Sequence, residues 1–215
     1  MNIVFYKKNN NKIKNRGFTV VELLVSVVIF AFMTAFLVAK YGTFNQGILL
    51  TNLAYDVALT IRNAQSYGLN VKSKPAGESD PSGNSYSDKF DYPYGVYFDE
   101  TATGSPAPNS SFIFFADVNG NGIYDSSESI KTSNIRRGSI VSDICVSADP
   151  ISCQNSDNHP STADITFKRP DPNAVIKRDG DSASEYAYAE ITLKSSDGGL
   201  KKVIVRKTGQ IDVSD

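Results

Sequence analysis

Oxygen-bearing side chains recur at alternate positions in one short run: Asp117, Asn119 and Asn121, then Asp125, closed by Glu128. The run reads Phe114-Phe115-Ala116-Asp117-Val118-Asn119-Gly120-Asn121-Gly122-Ile123-Tyr124-Asp125-Ser126-Ser127-Glu128. Hard oxygen donors at every second residue converge on one cation when the chain turns sharply, and Gly122 stands at the place where that turn falls. In this template Ile123 supplies its carbonyl oxygen, Asp125 takes place nine and Glu128 closes the shell. The flanks do not suit a helix–loop–helix. Residues 112–115 are apolar and strand-like, no helical pattern follows Glu128, and Tyr124 stands where an aliphatic residue is usual. The same residues also make a turn whose Asx side chains accept from backbone N–H groups. Two expectations stay open: a Ca2+ site, and a metal-free Asx- and Gly-rich turn between strands.

Cys145 and Cys153 are the only cysteines, in the run CVSADPISC. In an exported domain this pair predicts a short-loop disulfide, with two free thiols as the alternative. Enzyme chemistry has little to stand on. The one histidine, His159, lies in an Asn-His-Pro context typical of solvated turns, and Gly180-Asp181-Ser182 lacks the Gly-x-Ser-x-Gly elbow of a nucleophilic serine. No phosphate loop, dinucleotide fingerprint or zinc constellation is present. The sequence therefore predicts no catalytic residues.

Export itself is read from the N-terminal region. The apolar run 18–39 has about 22 residues and spans roughly 33 Å as a helix, enough for a hydrocarbon core of about 30 Å. Before it lie Lys7, Lys8, Lys12, Lys14 and Arg16 with no acid, which places the leader on the cytoplasmic side and the rest of the chain outside. A secretory signal would have a shorter apolar core and a small-residue cleavage site after it, and none follows. An uncleaved signal anchor leaves Glu22 unexplained, because an ionised carboxylate in a membrane helix costs roughly 2.5–3.5 kcal/mol near the centre.

The segment Arg16-Gly17-Phe18-Thr19-Val20-Val21-Glu22-Leu23-Leu24-Val25 resembles the N-terminal cleavage and methylation motif of type IV pilins and type II secretion pseudopilins. The resemblance implies that a prepilin peptidase cuts after Gly17 and that the new terminal residue, Phe18, is N-methylated. Glu22 then lies one turn into the helix, where negative charge is favoured by the helix dipole and by the new ammonium group. In the family the equivalent acid is thought to pair with the terminal amine of a neighbouring subunit, so Glu22 is expected to set register during assembly. The implied partners are other pilin or pseudopilin subunits, the prepilin peptidase, the inner-membrane assembly platform and the membrane itself before assembly. The implied location is the inner membrane as precursor, then a periplasmic or extracellular filament. The Asp-x-Asn-x-Asn-Gly segment is also similar to one in H-type minor pseudopilins and transformation-related minor pilins.

Behind these residues the chain divides into a leader (1–17), a membrane or filament-core helix (18–39), an amphipathic continuation (40–69) and a β-rich globular part (70–215). Leu50, Leu53, Ala54, Val57, Ile61, Ala64 and Gly68 recur at helical spacing to about Leu69, with Gly42 and Gly47 as bends or close-packing positions near the join. Residues 70–93 read as a polar loop. Strands are predicted at 94–98, 111–115, 139–146, 163–168, 186–193 and 200–205. The expected fold is α+β, a long N-terminal helix packed on one antiparallel sheet, which is also the fold the family resemblance implies. The chain carries a net charge of −1, or about −6 without the leader, which does not favour bulk attraction to nucleic acid. The alternative function, a DNA-binding minor pilin, rests on Arg136-Arg137, Lys201-Lys202 and Arg206-Lys207, basic clusters that could meet phosphates or merely solvate strand edges. Gln210 follows Gly209 where H-type pseudopilins often carry Gly-Arg, which weakens that alternative.

Overall fold

The computed structural model describes residues 17–70, 92–101, 104 and 107–214. The basic leader before Gly17 and most of the expected 70–93 loop lie outside the described residues. The chain separates into two units, Met1–Gly42 and Thr43–Asp215.

In the first unit, Thr19 opens helix α1 (Val20–Leu69). Its hydroxyl accepts the Glu22 N–H at 3.2 Å and its carbonyl accepts the Leu23 N–H at 3.1 Å, the N-cap arrangement of a Thr-x-x-Glu sequence. From Val20 to Ala39 the helix is long and apolar enough to cross a membrane, and none of that stretch is buried. Phe, Leu, Ile and Val project on every side, so there is no polar face to give to water. Ser26 and Thr34 satisfy their hydroxyls internally by donating to the carbonyls of Glu22 and Phe30.

The second unit begins with the rest of α1, which includes Gly47 without a break. A Cβ on Gly47 would meet nothing within 4 Å, so close packing does not explain that glycine. Leu50, Ala54, Val57, Ala58, Ile61 and Ala64 form one buried stripe at three- and four-residue steps. They join a single core with two antiparallel sheets.

The strands are β1 (Tyr94–Asp99), β2 (Ser111–Ala116), β3 (Ser129–Asn134), β4 (Ile140–Ser147), β5 (Thr162–Lys168), β6 (Asp171–Arg178), β7 (Tyr188–Lys194), β8 (Leu200–Arg206) and β9 (Ile211–Ser214). They order as β3-β2-β1-β5-β6 and as β4-β7-β8-β9. The α+β class is as expected, but the single sheet is corrected to two. All six predicted strands form, and β3, β6 and β9 are additional.

In the five-stranded sheet, Phe98, Val96 and Tyr94 stand opposite Ala163, Ile165 and Phe167, and these residues face the helix and fill the core. Gly68 lets α1 reach the sheet, since a Cβ there would stand 2.2 Å from the Phe167 carbonyl oxygen. Tyr67 makes edge contacts with Tyr94 and Phe114 at 5.6 and 5.5 Å. Gln65 donates to the carbonyls of Pro172 and Gly209, and Arg62 to that of Ile211, so the same helix turns also hold the start of β6, the turn before β9 and β9 itself.

Candidate functional site

The loop between β2 and β3 contains the oxygen-rich run. It leaves a strand at Ala116 and enters one at Ser129 through a 3-10 turn at Ser126–Glu128, so the flanks are those of a strand connection rather than of an EF-hand. Phe115 and Ile113 point to the face opposite the helix by alternation. The loop folds over that face. Tyr124 packs its ring on Tyr97 at 4.9 Å and on Phe115 at 5.4 Å. Gly122, at φ +78°, passes so close to the Lys177 side chain that a Cβ would stand 2.7 Å from its Cε. The left-handed backbone is what favours glycine here, and the Lys177 side chain fills the space a Cβ would take.

Within the loop the side-chain oxygens serve the backbone. Asp117 Oδ1 accepts from the N–H groups of Gly120 and Asn121, and Oδ2 from that of Gly122 at 2.8 Å. Glu128 Oε1 accepts from Val118 and Asn119, and Oε2 from Asp125. Asn119 Oδ1 accepts the Asn121 N–H, Asn121 Oδ1 accepts that of Ile123, and the Asn119 amide donates to Asp125 Oδ2 at 2.7 Å. Asp117, Asn119, Asn121, Asp125 and Glu128 are thus brought together, while Ile123 enters through its N–H. Among the described residues no three acidic, His or Cys side chains converge at spacing that would already hold a metal ion.

One residue at this place was missed from the sequence. Asp164 of β5 lies directly under the loop, its Oδ1 accepting the Tyr124 N–H at 2.8 Å. It stands between Tyr97 of β1 and Lys177 of β6 in register. Burial pushes its carboxyl up to about 7, and the charges of Asp117, Asp125 and Glu128 push the same way against the Tyr124 hydrogen bond. Burial also raises Asp117 and Glu128, opposed by the backbone N–H groups that each accepts. The available signal was a lone acid in Ala163-Asp164-Ile165-Thr166-Phe167, alternating with three core residues.

Cys145 at the end of β4 and Cys153 are joined in a disulfide with Cα atoms 5.7 Å apart. His159 steadies the same loop: Nδ1 meets Asp143 at 2.7 Å and Nε2 meets the Cys153 carbonyl at 2.9 Å. Gly180 has φ +70° and Asp181 accepts from the N–H groups of Ala183 and Ser184, a turn between β6 and β7. Of the basic clusters, Lys202 pairs with Glu190 at 2.8 Å, Lys207 with Glu185 at 3.3 Å and Arg206 with Asp212, while Arg136 and Arg137 are exposed in the turn before β4.

At the N-terminus Gly17 and Phe18 precede the helix outside regular secondary structure, with Phe18 79 % exposed, and Glu22 occupies the first turn. Residues 12–38 match the prokaryotic N-terminal methylation motif. This is the signature of type IV pilins and pseudopilins, and it covers the helix start, Glu22 and nearly all of the exposed apolar stretch. Comparison with curated proteins and with solved structures gives no match.

Proposed function

We propose that this chain is a subunit of a type IV pilus-like or type II secretion-like filament, cut after Gly17 by a prepilin peptidase, methylated at Phe18 and assembled through its N-terminal helix. The observation that carries the reading is the coincidence of the methylation motif with a helix apolar on every side. Such a surface has two stable environments, a lipid core and the packed interior of a helical filament, and transfer from one to the other leaves it covered throughout. A charge near the start of that helix is costly in lipid and is relieved by a cationic partner, so Glu22 favours states in which a subunit's terminal amine stands beside it. The partners are other subunits, the peptidase and the assembly platform; the location is the inner membrane and then a filament beyond it.

Mass spectrometry of sheared surface filaments tests this. The expected result is an N-terminal peptide beginning at methylated Phe18. Recovery only from membranes with residues 1–17 still attached would end the filament reading.

A further inference from the structure

Three carboxylates are buried together where the β2–β3 loop covers the five-stranded sheet: Asp117 and Asp164 are 1 % exposed and Glu128 is 3 % exposed. Asp117 and Glu128 each accept three backbone N–H groups, which disperses part of their charge. Asp164 is served differently. Its Oδ1 has the Tyr124 N–H, whereas Oδ2, fully buried, has no hydrogen-bond partner among the described residues. The charges acting on it from the loop are those of Asp117, Asp125 and Glu128, all of its own sign. Lys177, its cross-strand neighbour, is itself buried and donates its Nζ to the Ser182 carbonyl. A buried carboxylate oxygen without a donor costs free energy until a proton or a cation meets it.

We propose that the loop and the sheet together form a divalent-cation site of the calcium class, with Asp164 as the ligand outside the loop and Asp117, Asp125 and Glu128 as the loop carboxylates. The chemistry selects the ion. The oxygens that the loop and the strand bring together belong to carboxylates and side-chain amides, with no imidazole or thiolate among them, because His159 is engaged by Asp143 and the Cys153 carbonyl and both cysteines are bonded. A buried set of oxygens drawn from a turn and a strand suits the flexible six- to eight-fold shell of Ca2+ better than the octahedron and retained waters of Mg2+. Because no three carboxylates among the described residues yet converge on one point, binding draws the loop side chains onto Asp164. That rearrangement sets the expected affinity among the weaker, extracellular class, roughly 0.1–1 mM. The site is independent of the filament reading and stands or falls without it.

The test uses the full-length chain in detergent micelles, stripped with EDTA and titrated with CaCl2 to about 10 mM, tenfold above the weakest expected affinity. MgCl2 and NaCl at matched ionic strength serve as controls. Melting temperature is one readout. Displacement by Ca2+ of Tb3+ luminescence sensitised through Tyr97 and Tyr124 is the other, in a chain without tryptophan. The wild type is expected to gain melting temperature saturably with Ca2+. Asp164→Asn, which keeps the oxygen that Tyr124 needs, is expected to fold in EDTA and to bind Ca2+ at least tenfold more weakly. Asp125→Asn, at an exposed position, gives the same comparison should the first variant fail to fold. No gain for the wild type beyond the salt controls, or a variant that responds as the wild type does, overturns the site.

Discussion

Replacing Gly68 by alanine isolates the contact that seats α1 on the five-stranded sheet. The new Cβ would stand 2.2 Å from the Phe167 carbonyl oxygen and 2.8 Å from its carbonyl carbon. Both are backbone atoms of β5, which is paired to β1 on one side and β6 on the other, so neither can step aside alone. Overpacking costs typically 1–3 kcal/mol, and a clash at 2.2 Å with backbone that cannot step aside belongs in the upper part of that range, about 2–3 kcal/mol. Alanine returns about 0.8–1 kcal/mol of helix propensity, which leaves a net loss of roughly 1–2 kcal/mol. For a folded unit of this size that lowers the melting temperature by about 2–8 °C. Gly47→Ala is the internal control: the same substitution in the same helix, where a Cβ meets nothing within 4 Å, so only the propensity gain remains. Thermal denaturation of both full-length variants in detergent should move them in opposite directions. A Gly68→Ala protein as stable as the wild type would refute the proposed docking of helix on strand.

Three further outcomes are expected. Changing Cys145 and Cys153 together to alanine should lower the melting temperature by about 4–12 °C, from roughly 2–3 kcal/mol of loop entropy restored to the unfolded chain, and the native wild type should take up no thiol label. His159 has its pKa raised by its bond to Asp143 and then by the Cys153 carbonyl, so its stabilising contribution is complete below its unfolded value of about 6.5 and is lost as pH rises through the folded value. Melting curves of the wild type and His159→Gln should therefore differ most at about pH 6 and converge in alkali, and a constant gap would contradict this. Glu22→Ala should still insert and be cleaved but enter filaments poorly, measured as the filament-to-membrane ratio; normal incorporation would count against the pairing assigned to Glu22.

With the exception of the edge strand β4, whose run at 140–147 is apolar enough to be read, the strands that the sequence revealed and those it hid differ in where they lie. The interior strands β1, β2, β5, β7 and β8 carry β-branched and aromatic alternation because both neighbours and at least one face are buried. The missed strands β3, β6 and β9 are all edges. Ser129–Asn134 is mostly polar, Asp171-Pro172-Asn173 reads as a turn, and Ile211–Ser214 has only four residues, all consistent with the polar or shortened edges that discourage further pairing. The division into two sheets had no local signal, since nothing within 140–147 says that β4 pairs with β7 rather than with β3. The loop's participants were legible because an Asx- and Gly-rich spacing is a local property. Asp164 was not, because its place under the loop comes from pairing β5 with β1, a contact between residues far apart in the chain.

Glu22 illustrates how one residue satisfies two demands. Thr19 and Glu22 stand as N-cap and N3, so the local helix start already favours an acid at this position. That preference accounts for a carboxylate near a helix N-terminus, but it is modest beside the cost of holding one at membrane depth. Cleavage after Gly17 would put a free ammonium on Phe18, one residue before the cap, rather than a basic leader passing on toward the cytoplasm. On the proposed reading the carboxylate would then have the helix terminus on its own chain and a terminal amine on a neighbour, two attractions acting from different directions. The first fixes where the helix starts, and in the proposed filament the second would set how far one subunit slides along the next. An apolar helix without such a charge would pack equally well at many offsets, because lipid-like side chains distinguish neighbouring registers weakly. In the proposed filament a single buried charge with one acceptable partner would remove that degeneracy, and this would offset its cost where every other residue from Val20 to Ala39 is uncharged.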